Sequence, residues 1–367
     1  MSRFALVVTA MLAVVYAYVA ARLAHGPLAA VALAVPFILI WVMPVLYWGT
    51  GRSREGLIDQ LVHRASYLSM AWVSFILVLT IARDLLLLAT AWTPALASEN
   101  HLIAAAGVPV VLGGSLVAIA VGAAAAFRGP RIERVDLPVA GLHPDLDGYR
   151  IVQISDLHVG PNIGRRYVQR VVDLSRSLAP DLVVLTGDIV DGPVRQLEPH
   201  VAPLAELARD GRAFFILGNH DCYAGAEPWI AYWRAAGMRV LLNSSEIVRK
   251  GDARILVGGT VDPAYGRLRP EIAIREPADF KLLLAHNPRL APLGAKAGFD
   301  LQLSGHTHAG QFFPWTLAVR LVHAPHVWGL SREGKMLVYV SAGTGTWGPP
   351  VRFGTNPELT LIRLVRA

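Results

Sequence analysis

Four apolar segments fill most of the first third of the chain and constrain its fold more than any other feature. They cover residues 4–21, 27–48, 65–85 and 102–127. Each is close to the ~20 residues that an α-helix needs to cross a hydrocarbon core of ~30 Å. Residues 1–129 contain only seven of the 34 Lys and Arg residues and four of the 27 Asp and Glu residues. We therefore predict a transmembrane region of four helices here, rather than buried helices of a soluble core.

The arginines in the short loops predict an orientation, because cytoplasmic loops carry an excess of Lys and Arg. Seven arginines fall on the side that holds both ends of the region: Arg3, Arg52, Arg54, Arg64, Arg128, Arg131 and Arg134. Two, Arg22 and Arg83, fall on the other side. We expect a multi-pass membrane protein whose C-terminal domain lies in the cytoplasm.

Charge and cysteine content exclude several kinds of partner and bond. The formal net charge is +7 and is spread along the chain, so the sequence shows no basic cluster of the kind that binds nucleic acid. No segment contains enough charge to suggest a transport path through the membrane. The chain has one cysteine, Cys222, and therefore cannot form an intrachain disulfide.

The rest of the chain alternates apolar strands with helices. Residues 130–147 are expected to be a linker, and residues 148–367 a second domain. The predicted strands are 150–154, 182–186, 213–217, 280–285 and 301–304, and the predicted helices are 164–178, 196–208, 227–236 and 289–297. Short β-rich runs at 239–258 and 335–365 indicate a second sheet. This alternation predicts a layered α/β domain.

Polar motifs follow these strands at their carboxyl ends, where open α/β sheets bind their ligands. The motifs are Asp156-Leu157-His158, Gly187-Asp188, Gly218-Asn219-His220-Asp221, His286-Asn287 and Gly305-His306-Thr307-His308. The set combines carboxylates, an amide and imidazoles without a thiolate. It favours borderline-hard divalent ions such as Mn, Fe or Zn over copper.

The number of candidate ligands exceeds the needs of one ion. Two ions that share a carboxylate account for them better, as in sites that displace a group at phosphorus. Two Asp carboxylates against two divalent cations leave a positive field, which suits an anionic phosphate and favours hydroxide over water near neutral pH. Gly187 and Gly305 allow tight turns that bring the next residue to the ions.

The ordered motifs resemble those of the calcineurin-like metallophosphoesterases over residues 148–365. The resemblance implies a four-layer α/β/β/α sandwich. It also implies that one ion is held by Asp156, His158, Asp188 and His308, and the other by Asp188, Asn219, His286 and His306. His220 would stabilise the transition state or protonate the leaving group, and Asp221 would orient His220.

The strings Ser155–Gly160, Gly305–Gln311 and Gly345–Phe353 are similar to a bacterial membrane-associated phosphodiesterase branch. Some members of that branch act on lipids, like the UDP-diacylglucosamine hydrolases of lipid A biosynthesis. Ala309 replaces the glycine expected after the Gly305–His308 motif, and Cys222 stands where a tyrosine is common. The resemblance implies the inner (plasma) membrane of a bacterium.

Substrate contacts are less defined by the sequence. Arg352 and the pair Arg165-Arg166 are candidates for phosphate contacts, or are ordinary surface charges. The apolar residues of 312–321, with Trp328 and Trp347, form either a rim that faces the bilayer or a packed loop.

These features predict a membrane-anchored, binuclear metallophosphoesterase. Manganese is among the candidate ions. The enzyme is expected to cleave a phosphodiester or diphosphate bond, and a lipid-linked substrate is one option. Two alternatives are open. One is a non-catalytic metal-binding scaffold or sensor in the membrane, and the other is an exported phosphatase of broad specificity. The expected partners are a phosphorylated small molecule and the lipid bilayer, and no nucleic acid.

Overall fold

The computed structural model describes residues 3–43, 56–269 and 277–367. By their contacts the residues fall into two units. A helical unit consists of residues 1–124 with 348–353, and a sheet unit consists of residues 125–347 with 354–367.

The helical unit contains four helices in its described residues. They are α1 (Arg3–Leu23), α2 (Pro27–Val42), α3 (Leu57–Ala91) and α4 (Ala97–Phe127). Three of them contain segments long and apolar enough to cross a membrane: Ala5–Leu23, Leu57–Ala91 and Ser98–Phe127. Helix α2 is apolar but shorter, and the remainder of its predicted span, 44–48, lies outside the described residues. Four membrane spans therefore stay a prediction.

One polar group interrupts the apolar packing of this unit. The Asp84 carboxylate lies 2.9 Å from Arg22 Nε, contacts Arg83 at 3.3 Å and accepts a hydrogen bond from the Tyr18 hydroxyl at 2.9 Å. Paired in this way, the charge is tolerated within apolar surroundings.

The sheet unit contains two six-stranded sheets. The first has the order β1-β12-β2-β3-β4-β5 and the second β10-β11-β9-β8-β7-β6. Their strands are β1 (Arg131–Val139), β2 (Arg150–Ile154), β3 (Leu182–Leu185), β4 (Ala213–Phe215), β5 (Arg239–Val240), β6 (Ser244–Lys250), β7 (Ala253–Gly259), β8 (Phe280–Leu284), β9 (Leu301–Ser304), β10 (Gly329–Glu333), β11 (Met336–Val340) and β12 (Glu358–Arg366).

Helices cover the outer faces of both sheets. The helices of this unit are α5 (Arg165–Ser177), α6 (Val194–Val201), α7 (Asn219–Tyr223), α8 (Ala226–Ala235), α9 (Ala291–Ala297) and α10 (Trp315–His323). One core packs α5, α6 and α8 on the first sheet, a second fills the space between the sheets, and a third packs α9 on the second sheet. The predicted four-layer α/β/β/α sandwich is confirmed.

The central strands explain why the sequence predicts this architecture. Strands β2, β3 and β4 lie within a sheet covered on both faces, so nearly all their residues are buried. Such strands appear as continuous apolar runs. The predicted helix 196–208 differs from the observed structure. Helix α6 ends at Val201 and a 3-10 turn follows, because Pro203 has no N–H to continue the α-helical hydrogen bonds.

The segment expected to be a linker contains a strand instead. Residues 131–139 form β1, which pairs in parallel with β12 at one edge of the first sheet. Most β1 side chains are exposed or half-buried, as an edge strand allows. Because many of these residues are polar, their sequence does not indicate a β-strand.

Candidate metal centre

The loops that follow five strands meet at one end of the two sheets. Asp156 and His158 follow β2, Asp188 follows β3, and Asn219 and His220 follow β4. His286 follows β8 and the His306–His308 segment follows β9. A hydrogen bond joins two of these loops: the backbone N–H of His306 donates to Asp156 Oδ1 at 2.8 Å.

Asp156, His158 and His308 form the first cluster of ligand atoms. His158 Nε2 lies 3.0 Å from His308 Nε2, and His308 Nε2 lies 3.4 Å from Asp156 Oδ1. All three side chains are buried. Two imidazole nitrogens and a carboxylate oxygen thus point at a common position.

Asp188, His286 and His306 form the second cluster. His286 Nε2 lies 3.1 Å from Asp188 Oδ2, and Asn219 Oδ1 lies 3.0 Å from His306 Nδ1. The same Asp188 Oδ2 lies 3.8 Å from His158 Nε2, which belongs to the first cluster. Asp188 is therefore placed between the clusters, where a bridging ligand would be.

The chemistry of these donors fits divalent cations. His286 Nε2 is buried and, despite its short distance to Asp188, makes no hydrogen bond with the described residues, while its Nδ1 is fixed by the Thr186 carbonyl oxygen at 2.8 Å. Metal-binding histidines commonly fix the second ring nitrogen in this way. His286 Nε2 faces Asp188 Oδ2 at 3.1 Å, so the two side chains offer one cation a nitrogen and an oxygen ligand.

Charges within the centre compensate one another strongly. Burial lowers the pKa of His286, but the Asp188 carboxylate outweighs burial and raises this pKa to about 10. Burial also lowers the pKa of His158, but Asp191, and then Asp188, raise it to about 9. Burial and the nearby His286 lower the pKa of His306 to about 3. The carboxylates thus require positive charge, whether from protons or from metal.

This compensation predicts that metal uptake releases protons. The folded pKa values of His158 and His286 exceed the ordinary value of about 6.5, so their protonation stabilises the metal-free fold below that pH, and this contribution is lost as the pH rises through about 9 and 10. Metal must displace those protons, so we expect the apparent Mn²⁺ affinity of chelator-treated protein to rise from about pH 6 to about pH 9. Calorimetry in two buffers of different ionisation enthalpy measures the released protons, and identical heats in both would contradict the prediction.

Backbone conformation at the ligands is unusual. Nine non-glycine residues of the described part have positive φ, and five of them are ligand candidates: Asp156, His158, Asp188, His306 and His308. The left-handed conformation costs a non-glycine residue about 1–3 kcal/mol and is typical of functional sites. Strained backbone conformations therefore orient these side chains.

Glycines allow the loops to approach closely. A Cβ at Gly187 would lie 2.6 Å from Gly218 N and 2.8 Å from His286 Nδ1. A Cβ at Gly305 would collide with the Asp156 carboxylate. These glycines precede ligands in the motifs because a side chain would separate the loops.

The carboxylate that contacts His220 is Asp191 and not Asp221, the partner expected from the motif. Asp191 Oδ1 lies 2.9 Å from His220 Nδ1 and 2.8 Å from His158 Nδ1. Asp221 instead accepts hydrogen bonds from Gly218 N–H at 2.8 Å and from three backbone N–H groups of residues 188–190. Because α7 begins at Asn219, Asp221 occupies its first turn and points back towards the helix N-terminus.

Sequence reasoning missed Asp191, which forms a third group of potential ligand atoms with His158 and His220. Burial raises its pKa, but His158 and then His220 outweigh burial and hold this pKa well below its usual range. The signal in the sequence is its position, three residues after Asp188 and directly before Gly192. Nothing in that spacing alone distinguishes it from a turn-forming aspartate.

We expect Asp191→Asn to lower kcat/KM by about 10- to 100-fold, the usual effect of removing a partner that orients a functional histidine. The neutral amide cannot stabilise a positively charged His220, so the pH–rate profile should change in shape as well as in height. Asp210→Asn, at an exposed position in a turn of the same unit, is the matched control. An unchanged pH profile with full metal content would contradict a positioning role for Asp191.

The surroundings of His220 are aromatic and open. The Tyr223 and Trp347 rings each lie 5.7 Å from the His220 ring, centre to centre, and both side chains are exposed. Gln311 fixes the Trp347 backbone through two hydrogen bonds of 2.9 Å. The His220 side chain is itself 22% exposed.

Arg165 and Arg352 are the residues predicted to contact the substrate. Arg165 is exposed at the start of α5, and its Nη1 donates to the Pro199 carbonyl oxygen at 2.9 Å. Arg352 is 1% exposed and belongs to the helical unit, where its backbone N–H donates to the Gly122 carbonyl oxygen at 2.9 Å. Their roles in substrate binding stay predictions. Burial raises the pKa of the Cys222 thiol to about 12, so this residue is not a reactive thiolate.

A four-layer sandwich with aspartates and histidines gathered at its strand ends defines a metallophosphoesterase-type domain. The family described as calcineurin-like phosphoesterase matches residues 149–310. An uncharacterised metallophosphoesterase of Aquifex aeolicus is 32% identical over 246 residues, which are 64% of this chain and 91% of that protein. The chain belongs to the calcineurin-like phosphoesterase family, and the predicted resemblance is confirmed.

Other relatives are longer. A "transmembrane protein with metallophosphoesterase domain" of Danio rerio is 35% identical over 265 residues, which are 66% of this chain and 59% of that protein. An uncharacterised metallophosphoesterase of Campylobacter jejuni is 31% identical over 247 residues, 65% of this chain and 64% of that protein. The chain thus spans about three fifths of the length of these relatives. Among solved structures, a calcineurin-like phosphoesterase of Bacillus subtilis aligns with a TM-score of 0.35 and 14% identity, over 58% of this chain and 81% of that chain.

Proposed function

We propose that this protein is a membrane-anchored, metal-dependent hydrolase of phosphoric esters. One observation carries the proposal: Asp188 lies between the two ligand clusters, and beside them the Nδ1 of His220 is held by a carboxylate outside both clusters, Asp191. A scaffold or sensor that only binds metal has no need for the second feature. An enzyme needs it, because His220 must present one defined nitrogen to a substrate.

Each residue has a defined task in this proposal. Asp156, His158, Asp188 and His308 would hold one divalent ion, and Asp188, Asn219, His286 and His306 the other. Bound ions would neutralise phosphate oxygens and make a water molecule more acidic.

His220 would act on the leaving group. With Nδ1 fixed by Asp191, its Nε2 is the atom that would donate a proton to the departing oxygen. Asp221 would support the centre indirectly, since its four backbone hydrogen bonds hold the loop that carries Asp188.

The finer assignments are a phosphodiester or diphosphate bond and a lipid-linked substrate such as UDP-diacylglucosamine. They are supported by the similarity of the motif strings to a lipid-directed branch and by the apolar helices. The oxygen and nitrogen ligands support Mn, Fe or Zn. The loop arginines support the inner membrane of a bacterium with the catalytic domain in the cytoplasm, which a C-terminal reporter active only outside the cytoplasm would test.

The test of the proposed function is a direct assay. Purified full-length protein should hydrolyse bis-p-nitrophenyl phosphate when Mn²⁺ is present and lose this activity in chelator, because the carboxylates of the centre repel a phosphate unless cations compensate them. Re-addition of Mn²⁺, Fe²⁺ or Zn²⁺ identifies the ions that restore turnover. Absence of turnover with every ion, in protein that binds metal, would favour the scaffold or sensor.

A further inference from the structure

Helix α10 differs from an ordinary surface helix of a soluble domain in the direction of its apolar side chains. Its exposed side carries Trp315, Leu317, Leu321 and Val322, and Leu321 is 91% exposed. No residue of α10 is buried. A helix that covers a hydrophobic core places its apolar side chains inward, and this helix places them outward.

The side of α10 that faces the protein is more polar. Thr316, Val319 and His323 are half-buried there, and the His323 ring lies 5.3 Å from the ring of the ligand candidate His306. The first turn of the helix packs on Gly310, where a Cβ would collide with the Trp315 backbone. The helix is therefore attached to the metal centre by its polar side, while its apolar side is exposed.

The composition around α10 matches a lipid interface. Phe313, Trp328 and Leu330 extend the exposed apolar surface beyond the helix. Residues 312–330 contain Arg320 and no Asp or Glu, so no carboxylate in this segment repels anionic headgroups. Tryptophan is enriched where proteins meet the membrane interface, and an amphipathic helix with these features lies in the interface plane.

The chain also supplies the lipid surface. It contains three helices long and apolar enough to span a bilayer, so a membrane to which the chain is anchored is present at high effective concentration. We propose that the exposed face of α10, formed by Trp315, Leu317, Leu321 and Val322, docks on the surface of a lipid bilayer. This docking does not depend on the proposed hydrolase activity.

Docking would have a consequence for the metal centre. The helix begins five residues after the end of the turn that holds His308 and contacts His306 through His323. A bilayer bound to α10 would therefore lie close to the ligand loops and would present amphiphilic phosphate esters to them. This consequence, unlike the docking, rests on the proposed function.

The test measures the depth of one side chain in a membrane. Full-length protein with Cys222→Ser and Leu321→Cys is labelled with a nitroxide and placed in nanodiscs of phosphatidylcholine and phosphatidylglycerol at about 3:1, so that anionic headgroups are present. The collision rates of the label with oxygen, which concentrates in lipid, and with a water-soluble nickel chelate are then compared. Asp210→Cys in the same background is the matched control, since Asp210 is exposed in a polar turn.

Each result decides the proposal. Docking predicts a ratio of oxygen to nickel accessibility at Leu321→Cys on the order of tenfold above that at Asp210→Cys, because the side chain would lie below the headgroups. Equal ratios at both positions would place Leu321 in water and overturn the proposal. Shielding from both reagents would show that a protein surface, such as a second copy of the chain, covers α10, and would overturn it as well. Metal content and Tm equal to those of the Cys222→Ser background show that each variant is folded.

Discussion

Asp188→Asn is expected to lower kcat/KM by about 10³- to 10⁴-fold, equivalent to about 4–5.5 kcal/mol of transition-state stabilisation. Asparagine has nearly the same shape, so the effect comes from the lost charge. Asp188 Oδ2 lies between His286 and His158, one from each ligand cluster, while its Oδ1 accepts a hydrogen bond from His220 N–H at 2.7 Å. A neutral oxygen there would be a poor bridge between two cations.

The decisive measurement combines turnover with metal content. We expect Asp188→Asn protein to bind less metal than the wild type by elemental analysis. Asp210→Asn should change neither quantity. Full metal content with full activity would show that Asp188 is not a ligand, and the two clusters would have to be interpreted as separate polar sites.

The sequence predicts a layered α/β domain with a second sheet, and polar motifs after its strands, because both depend on local patterns. Buried strands such as β3 and β4 appear as apolar runs, and a polar motif follows each run closely. Parallel strands next to one another in a sheet bring their carboxyl ends together. The proximity of Asp156 to Asp188 on the first sheet, and of His286 to His308 on the second, therefore follows once the strands are recognised.

The partner of His220 could not be predicted in this way. Asp221 is its neighbour in the chain, but helix α7 turns the two side chains apart, and the observed partner lies on the loop after β3. The choice between Asp191 and Asp221 depends on backbone conformations that include a left-handed residue, Asp188. Sequence patterns carry little information about such strained conformations.

Strand β1 was hidden for a different reason. Its four charged residues and a proline interrupt the apolar positions, and its partner strand comes from the far end of the chain. Asp136 pairs with Arg363 of β12 through two contacts, at 2.8 and 2.6 Å. An edge strand with one neighbour needs no apolar run, so only the pairing identifies it.

The second large effect is expected at His220. His220→Asn should lower kcat by about 10²- to 10⁴-fold, the range for removal of a general acid, and should leave the metal content unchanged. His220 lies in neither the Asp156 cluster nor the Asp188 cluster. With His158 and Asp191 it forms a third group of potential ligand atoms, so the metal content of this variant also tests whether that group holds an ion. The ratio of activity to bound metal separates this variant from Asp188→Asn.

The size of the His220 effect should depend on the leaving group. A p-nitrophenolate departs without protonation, whereas an alkoxide needs a proton as the bond to phosphorus breaks. We therefore expect His220→Asn to lose much more activity on an alkyl phosphodiester than on bis-p-nitrophenyl phosphate. Equal losses on both substrates would mean that His220 stabilises the charge of the phosphoryl group instead. In that case the Asp191→Asn and His220→Asn variants would each lose activity equally with good and poor leaving groups.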